Sequence, residues 1–439
     1  MSLFLTYYGD DFTGSTDALE VLASAGVSTI LFLTTPTEAH MRRIGTVQAI
    51  GVAGISRSQD PAWMDAHLPA VFQRLTSFGA RVFHYKVCST FDSAPAVGNI
   101  GRAAEIGRAI VGTRAVPVVV GAPLLGRYVM FGNLFATATG TTYRIDRHPV
   151  MSRHPTTPMD EADLRRHLAR QTRLASELVD HAALTTLSLE ELRRRVLASE
   201  SGLVVLDTVD EATQKLVGRI LWPEDPDRTL FVIGSSGVEF SLVDRWRELG
   251  LAPAATPTRT PSPVSRIIAL SGSCSSINET QIRQALNDGF TGIALDPQAL
   301  IASDAAIDEV SGRAVDLLAE GASPLLYTAL GPTEGVVATS GAAGISFNTR
   351  LGECLGVVFR NILHRSGVRR AVVAGGDTSG HVTNQLGLYA LSYRAALVRG
   401  CPLCLTHSEH PEFDGRELAL KGGQMGGEHF FLQVRAGTL

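Results

Sequence analysis

Three clusters in the first hundred residues join charge to hydroxyl in a way suited to a small polar acid. Tyr7-Tyr8-Gly9-Asp10-Asp11-Phe12-Thr13-Gly14-Ser15 sets two adjacent carboxylates between an apolar run and a helical pattern. Such neighbours repel and are costly without hydroxyl, ammonium or metal partners, so either a polyol meets Asp10 and Asp11 or one of them only caps the helix. Gly54-Ile55-Ser56-Arg57-Ser58 offers a guanidinium that could grip a carboxylate in bidentate fashion or simply lie on the surface. His84-Tyr85-Lys86-Val87-Cys88-Ser89-Thr90-Phe91-Asp92-Ser93, followed by Gly98-Asn99-Ile100-Gly101, concentrates the ammonium of Lys86, the hydroxyls of Ser89, Thr90 and Ser93, and the carboxylate of Asp92. That mixture fits both the acid and the hydroxyls of a sugar acid; a hydroxyl-rich helix cap is the alternative.

The other half of the chain carries three turns rich in small residues. Ser271-Gly272-Ser273-Cys274-Ser275-Ser276 leaves an apolar run and enters a helical pattern, where amide and hydroxyl donors could hold a phosphate. Gly375-Gly376-Asp377-Thr378-Ser379-Gly380 repeats the arrangement, with one carboxylate among the donors. Lys421-Gly422-Gly423-Gln424-Met425-Gly426 adds a lysine beside a flexible loop. Singly these resemble ordinary helix caps; three in one half suggest a nucleotide cradle. Neither a Walker loop nor the G-x-G-x-x-G dinucleotide fingerprint is present. Phosphoryl transfer needs in-line positioning, neutralised phosphoryl oxygens, magnesium and a carboxylate near the attacking hydroxyl. An acid-sugar site facing a phosphate cradle would supply them.

The elements that must position these turns follow the α/β pattern. Leu203 to Leu206, Leu230 to Ile233, Arg266 to Leu270 and Arg370 to Val373 read as strands ending in Gly, Ser or Asp. Ser15 to Ala25, Glu161 to Val179, Asn278 to Asp288 and Leu351 to Ser366 have helical spacing. The expected fold is therefore α/β, two domains, each a mainly parallel sheet flanked by helices, with ligands at the carboxyl ends of strands and the active site in the interdomain cleft. Four prolines between Pro253 and Pro263 mark a linker, giving an N-terminal domain of residues 1–252, a linker 253–264 and a C-terminal domain 265–439.

Composition narrows the class. The 439 residues are 45% hydrophobic and 19% charged, enough apolar material for two cores. A formal net charge of -4 argues against nucleic acid or anionic membrane as partners. Prolines 117 and 123 interrupt the longest apolar stretch, and the first residues lack a basic signal region, so a cytoplasmic protein is expected. Five cysteines fit a reducing compartment; Cys401-Pro-Leu-Cys404 has redox or half-zinc spacing but lacks a second ligand pair, and inert buried thiols are expected. Arg127, Arg144, Arg147, His148, Arg153 and His154 make residues 126–159 unusually basic.

Taken in order, Asp10-Asp11-Phe12-Thr13-Gly14, Lys86-x-Cys88-Ser89-Thr90-Phe91-Asp92-Ser93 with Gly98-Asn99-Ile100-Gly101, Ser271-Gly272-Ser273-Cys274-Ser275, Gly375-Gly376-Asp377-Thr378-Ser379 and the lysine-glycine loop resemble the four-carbon acid sugar kinases over the whole chain. The resemblance implies ATP-dependent phosphorylation of an acid sugar in carbohydrate catabolism, with magnesium, a sugar-acid domain first and a nucleotide domain second. It implies substrate contacts at Asp10, Asp11, Arg57, Lys86, Ser89, Thr90 and Asp92. ATP contacts fall on Ser271, Gly272, Ser273, Gly375, Gly376, Asp377, Thr378, Lys421, Gly422 and Gly423. Asp377 is the expected general base and Asp11 the alternative; no metal ligand is assigned, and a homodimer is an open expectation. The last loop differs from the Lys-Ser-Gly-Asn-Phe-Gly pattern of the family. The Cys-Ser-Thr-Phe-Asp-Ser motif resembles 3-oxo-tetronate kinases, threonate and erythronate being alternative substrates, while the basic segment leans toward a branched acid such as 3-oxo-isoapionate or is only solvated surface. A dinucleotide-dependent dehydrogenase and a sensor without turnover are the competing classes.

Overall fold

The structure is a computed structural model that describes residues 3–254, 260–331, 342–398 and 400–438. It divides into two compact units, Met1–Thr256 and Pro257–Leu439. Residues 255–259 of the proline-rich stretch lie outside the described residues.

In the first unit, β1 (Leu5–Gly9), β2 (Thr29–Phe32), β3 (Ala49–Ala53), β4 (Val82–Lys86) and β5 (Val116–Val119) precede a small antiparallel sheet of β6 (Arg127–Met130), β7 (Asn133–Ala138) and β8 (Thr141–Arg144). Then come β9 (Ser176–Val179), β10 (Leu203–Leu206) and β11 (Leu230–Gly234). The main sheet runs β2-β3-β1-β4-β11-β5-β10-β9, every pairing parallel. Every residue of β1, β4, β10 and β11 is buried, as expected of strands covered by helices on both faces. The register brings the ends level: Gly9 pairs with Ala53 and with Lys86, and Lys86 with Gly234. Whatever follows each strand therefore emerges on one edge, which is why motifs far apart in sequence can meet.

The second unit repeats the principle with β12 (Ile268–Ser271), β13 (Phe290–Ala294), β14 (Ser323–Tyr327), β15 (Arg370–Ala374), β16 (Leu388–Val398), β17 (Cys401–Ser408) and β18 (Glu417–Lys421). Within it the order is β13-β14-β12-β15-β18-β17-β16; the first five are mutually parallel and the last two form an antiparallel hairpin. Ser271 pairs with Ala374 and Ala374 with Lys421, so three strand ends again stand level. Arg370, 1% exposed, is anchored by Glu417 at 2.8 Å and by the Ser262 and Val434 carbonyls.

The mainly parallel α/β architecture expected from the sequence is present. One element differs: the helix expected over Glu161 to Val179 spans only Leu164–Ala169, and Ser176–Val179 is a strand paired with β10. Gln171 accounts for the break. Its side-chain oxygen accepts from the Ile100 amide at 2.8 Å, capping another helix, and Thr172 donates to Glu105, so tertiary partners override the local period. Cys401 and Cys404 are buried, three residues apart on one strand and so on opposite faces, which rules out a shared metal or redox pair. Cys274, by contrast with the expected inert burial, is exposed. No described helix is long and apolar enough to cross a membrane.

Candidate active site

At the carboxyl edge of the first sheet, four of the residues singled out by sequence form one cluster. Asp10 is buried, and Arg57 reaches it with two bonds, Nε at 3.1 Å and Nη2 at 2.6 Å, while Nη1 donates to Asp11 at 2.7 Å. Asp11 also caps the helix Phe12–Ser24, accepting from the Gly14 amide at 2.7 Å. The helix-cap reading holds for Asp11, and the partner that relieves the paired carboxylates is Arg57, so the carboxylates that Arg57 grips belong to the protein. Burial lifts the Asp10 carboxyl to about 6 against the pull of Arg57. Burial also works against the Arg57 charge, but Asp10 and Asp11 together hold the guanidinium well above its usual value.

Lys86, 2% exposed, completes the cluster. Its Nζ stands 3.6 Å from Asp17 and donates to the Val87 carbonyl. A Cβ placed on Gly14 would lie 3.2 Å from Lys86 Nζ and 3.6 Å from Arg57 Nη2, so the glycine lets the helix N-terminus sit directly against both cations. Burial costs the ammonium, yet Asp17 and Glu239 leave its pKa raised.

The loop after β4 is held from several sides. Thr90 donates to Asp92, and Ser93 Oγ sits 2.9 Å from His167 Nε2 and accepts from Gln171 at 2.9 Å. Phe91, fully buried, adopts φ 57°, a left-handed conformation that a bulky residue keeps only when its surroundings enforce it. Burial draws His167 down to about 4, so the imidazole that pins the loop is neutral near pH 7. Ser89 is partly exposed on the same turn.

In the second unit the three small-residue turns converge. The Gly272 amide donates to the Ala374 carbonyl and the Gly375 amide to the Lys421 carbonyl, while Ser275 Oγ donates to the Gly423 carbonyl. A Cβ on Gly272 would fall 2.1 Å from Thr378 Oγ1, and one on Gly423 2.3 Å from Ser273 Oγ. Gly375 takes φ 124°, a conformation side chains rarely adopt. Gln281 ties the last loop down by donating to the carbonyls of Met425, Gly426 and Gly427. Ser271 is occupied with Asn278. Lys421 is buried, donating to the Gly422 carbonyl with the Phe430 ring near its ammonium, and burial pulls it to about 8 against the influence of Cys401. Gly376 and Asp377 are exposed at the start of the helix Gly376–Gln385. These hydroxyls, amides and one lysine suit a polyphosphate.

Sequence reasoning left out the residues that hold the cluster in place. Asp17 accepts from Ser236 and faces Lys86; its signal was a carboxylate flanked by buried Ser15, Thr16, Ala18 and Leu19 within one helix. The buried pair of His84 and Glu239, 2.7 Å apart, fastens β4 to the helix after β11, with the other imidazole nitrogen 3.0 Å from the Gly234 carbonyl. No local pattern links positions 155 apart. In the basic segment, Arg144 pairs with Asp146, Arg147 and Arg153 are exposed, and His148 and His154 accept backbone amides through Nδ1.

Two family models match the chain: a sugar-binding N-terminal domain over residues 5–242 and a nucleotide-binding C-terminal domain over residues 268–431. A 3-oxo-isoapionate kinase of Paraburkholderia graminis is 45% identical over all of this chain and 95% of its own length. A 3-oxo-tetronate kinase of Methylobacterium radiotolerans is 34% identical, with 98% of each covered. Among solved structures, a Salmonella typhimurium protein described as a putative tRNA synthase superposes with TM-score 0.78 at 24% identity, covering 99% of this chain and 98% of its own. A Haemophilus influenzae protein superposes with TM-score 0.77 at 23% identity, covering 99% and 100%. At those identities the solved structures show the fold alone. The curated relatives are kinases, which bears out the phosphotransferase expectation and leaves the dehydrogenase and the sensor without support. With both domain models matched in order and whole-length kinase relatives, the chain belongs to the four-carbon acid sugar kinase family.

Proposed function

We propose that this chain transfers the γ-phosphoryl group of ATP to a hydroxyl of 3-oxo-isoapionate, 3-oxo-tetronate being the second choice. The observation that carries the choice is 45% identity to a 3-oxo-isoapionate kinase over the full length, against 26–34% for the 3-oxo-tetronate kinases among the relatives. The site chemistry supports it. The Asp10, Asp11, Arg57 and Lys86 cluster with the Ser89-Thr90-Asp92 loop offers hydrogen-bonding groups to the hydroxyls of an acid sugar. The Ser271–Ser273, Gly375–Thr378 and Lys421–Gly423 turns offer amides, hydroxyls and an ammonium to a triphosphate.

Asp377 is the general base in this reading. Asp11 already accepts from Arg57 and from the Gly14 amide, whereas Asp377 is exposed on the phosphate turn, able to take the proton of the attacking hydroxyl. Magnesium supplies charge neutralisation when it arrives with the nucleotide. No metal ligand is assigned to the chain; an ion of this kind is held largely through the nucleotide phosphates. A panel of 3-oxo-isoapionate, 3-oxo-tetronate, threonate and erythronate with coupled ADP detection tests the assignment. The branched acid should give the highest kcat/KM; a higher value for any other member reassigns the substrate.

A further inference from the structure

An anionic substrate needs a cation that the protein has not already neutralised. Arg57 after β3, Lys86 at the end of β4 and Arg127 at the start of β6 are cations of the described residues near the carboxyl edge of the first sheet. Arg57 is spent on Asp10 and Asp11, and Lys86 faces Asp17. The third is Arg127, and it has no carboxylate partner among the described residues. Among the described residues its Nη1 donates only to the carbonyls of Leu125, Gly126 and Thr137, at 3.1 to 3.3 Å, and its Nε is buried with no hydrogen-bond partner.

The residue is placed with care by its surroundings. Arg127 pairs with Ala122, just past the end of β5, through two backbone bonds of 2.9 and 3.2 Å. Val129 exchanges backbone bonds with Thr208, and the buried Asp207 carboxylate accepts from the Phe131 and Gly132 amides at 2.6 and 2.9 Å, so the strand that carries Arg127 is tied to the end of β10. The Cys88 thiol, at the head of the hydroxyl loop, lies within electrostatic reach of Arg57, Lys86 and Arg127 alike. Arg127 therefore sits just past the end of β5, on the same edge of the sheet as the acid-sugar cluster, with β11 alone between β5 and β4. Desolvation without an acid partner draws its pKa down, the reverse of Arg57. A half-buried guanidinium held rigid on backbone carbonyls, with an orphaned N–H, is costly unless an anion completes it.

We propose that Arg127 receives the carboxylate of the acid sugar and so sets the preference for an acid over a neutral sugar. This rests on the acid sugar kinase reading above and assigns within it the one group that tells substrate charge. The other cations of the basic segment take no part, being paired or exposed.

The test compares wild type, R127Q and R127K on 3-oxo-isoapionate and on its primary amide, which keeps the shape and loses the charge. In R127Q the KM for the acid should rise about 10- to 100-fold with kcat changed far less, and the acid-to-amide ratio of kcat/KM should fall by a similar factor. The KM for ATP should stay within about twofold. R127K keeps the charge but loses the planar fork, so its KM should rise roughly three- to tenfold. An acid-to-amide ratio in R127Q equal to wild type overturns the inference while wild-type turnover leaves the kinase reading standing. Should R127Q fail to fold, an unchanged KM in R127K overturns it instead. A wild type that phosphorylates neither compound overturns the kinase reading and this inference with it.

Discussion

The site divides its ionisable groups into those that hold one another and those left for ligands. Asp10 and Arg57 hold each other through two bonds, whereas Asp377 stands exposed on its turn and Lys421 donates to the Gly422 carbonyl. Two consequences follow for pH. Asp10, lifted by burial to about 6, loses its charge as pH falls through that value and releases Arg57, so kcat/KM for the acid sugar should decline below about pH 6. Lys421, lowered by burial to about 8, loses its proton as pH rises through that value, so kcat/KM for ATP should decline above about pH 8. Profiles run at saturating concentrations of the other substrate separate the two limbs; D10N should abolish the acid limb. Replacing Asp377 by Asn should lower kcat about 10²- to 10⁴-fold with little change in either KM. Wild-type kcat in D377N would remove the general base from the account. At this scale the sequence was informative about which residues are polar neighbours, and silent about commitment. That Arg57 spends itself on Asp10 rather than on a ligand depends on β1 and β3 lying side by side, which no spacing along the chain reveals.

The elements do their positioning through register. Level ends of β1, β3, β4 and β11 bring Asp10, Arg57 and Lys86 together, and level ends of β12, β15 and β18 bring the three small-residue turns together. Close approach of those turns depends on missing side chains. G272V would drive its branched side chain into Thr378 and should raise the KM for ATP at least about tenfold, leaving binding of the acid sugar by calorimetry unchanged. Equal loss of sugar binding would show that the two half-sites are not separable. Strand-turn-helix units were legible because β-branched runs end in Gly, Ser and Asp, the residues that turn and cap chains. Helix length between residues 161 and 179 was not, because Gln171 and Thr172 are recruited by a neighbouring helix, a demand that apolar periodicity does not record.

Across the molecule, each unit holds a buried polar pair, the hydrogen-bonded His84 and Glu239 in the first and the ion pair of Arg370 and Glu417 in the second. R370A removes the buried partner and leaves Glu417 the longer contacts of Arg369 at 3.4 Å and Arg394 at 3.6 Å, so it should destabilise the protein by about 3 kcal/mol, read as a lower thermal midpoint. A midpoint equal to wild type would show that those two arginines suffice. The sequence conveyed the two-part organisation through its proline-rich stretch and its two families of motifs, one suited to a sugar acid and one to phosphate; what it withheld were the long-range anchors such as Glu239 and Asp207. The central claim is that those two families of motifs serve a single transfer. Phosphorus NMR of the full-length protein with ATP, magnesium and 3-oxo-isoapionate tests it most directly. The account predicts a new sugar phosphate monoester resonance growing in step with ADP; ADP accompanied only by inorganic phosphate, or no ADP at all, would contradict it.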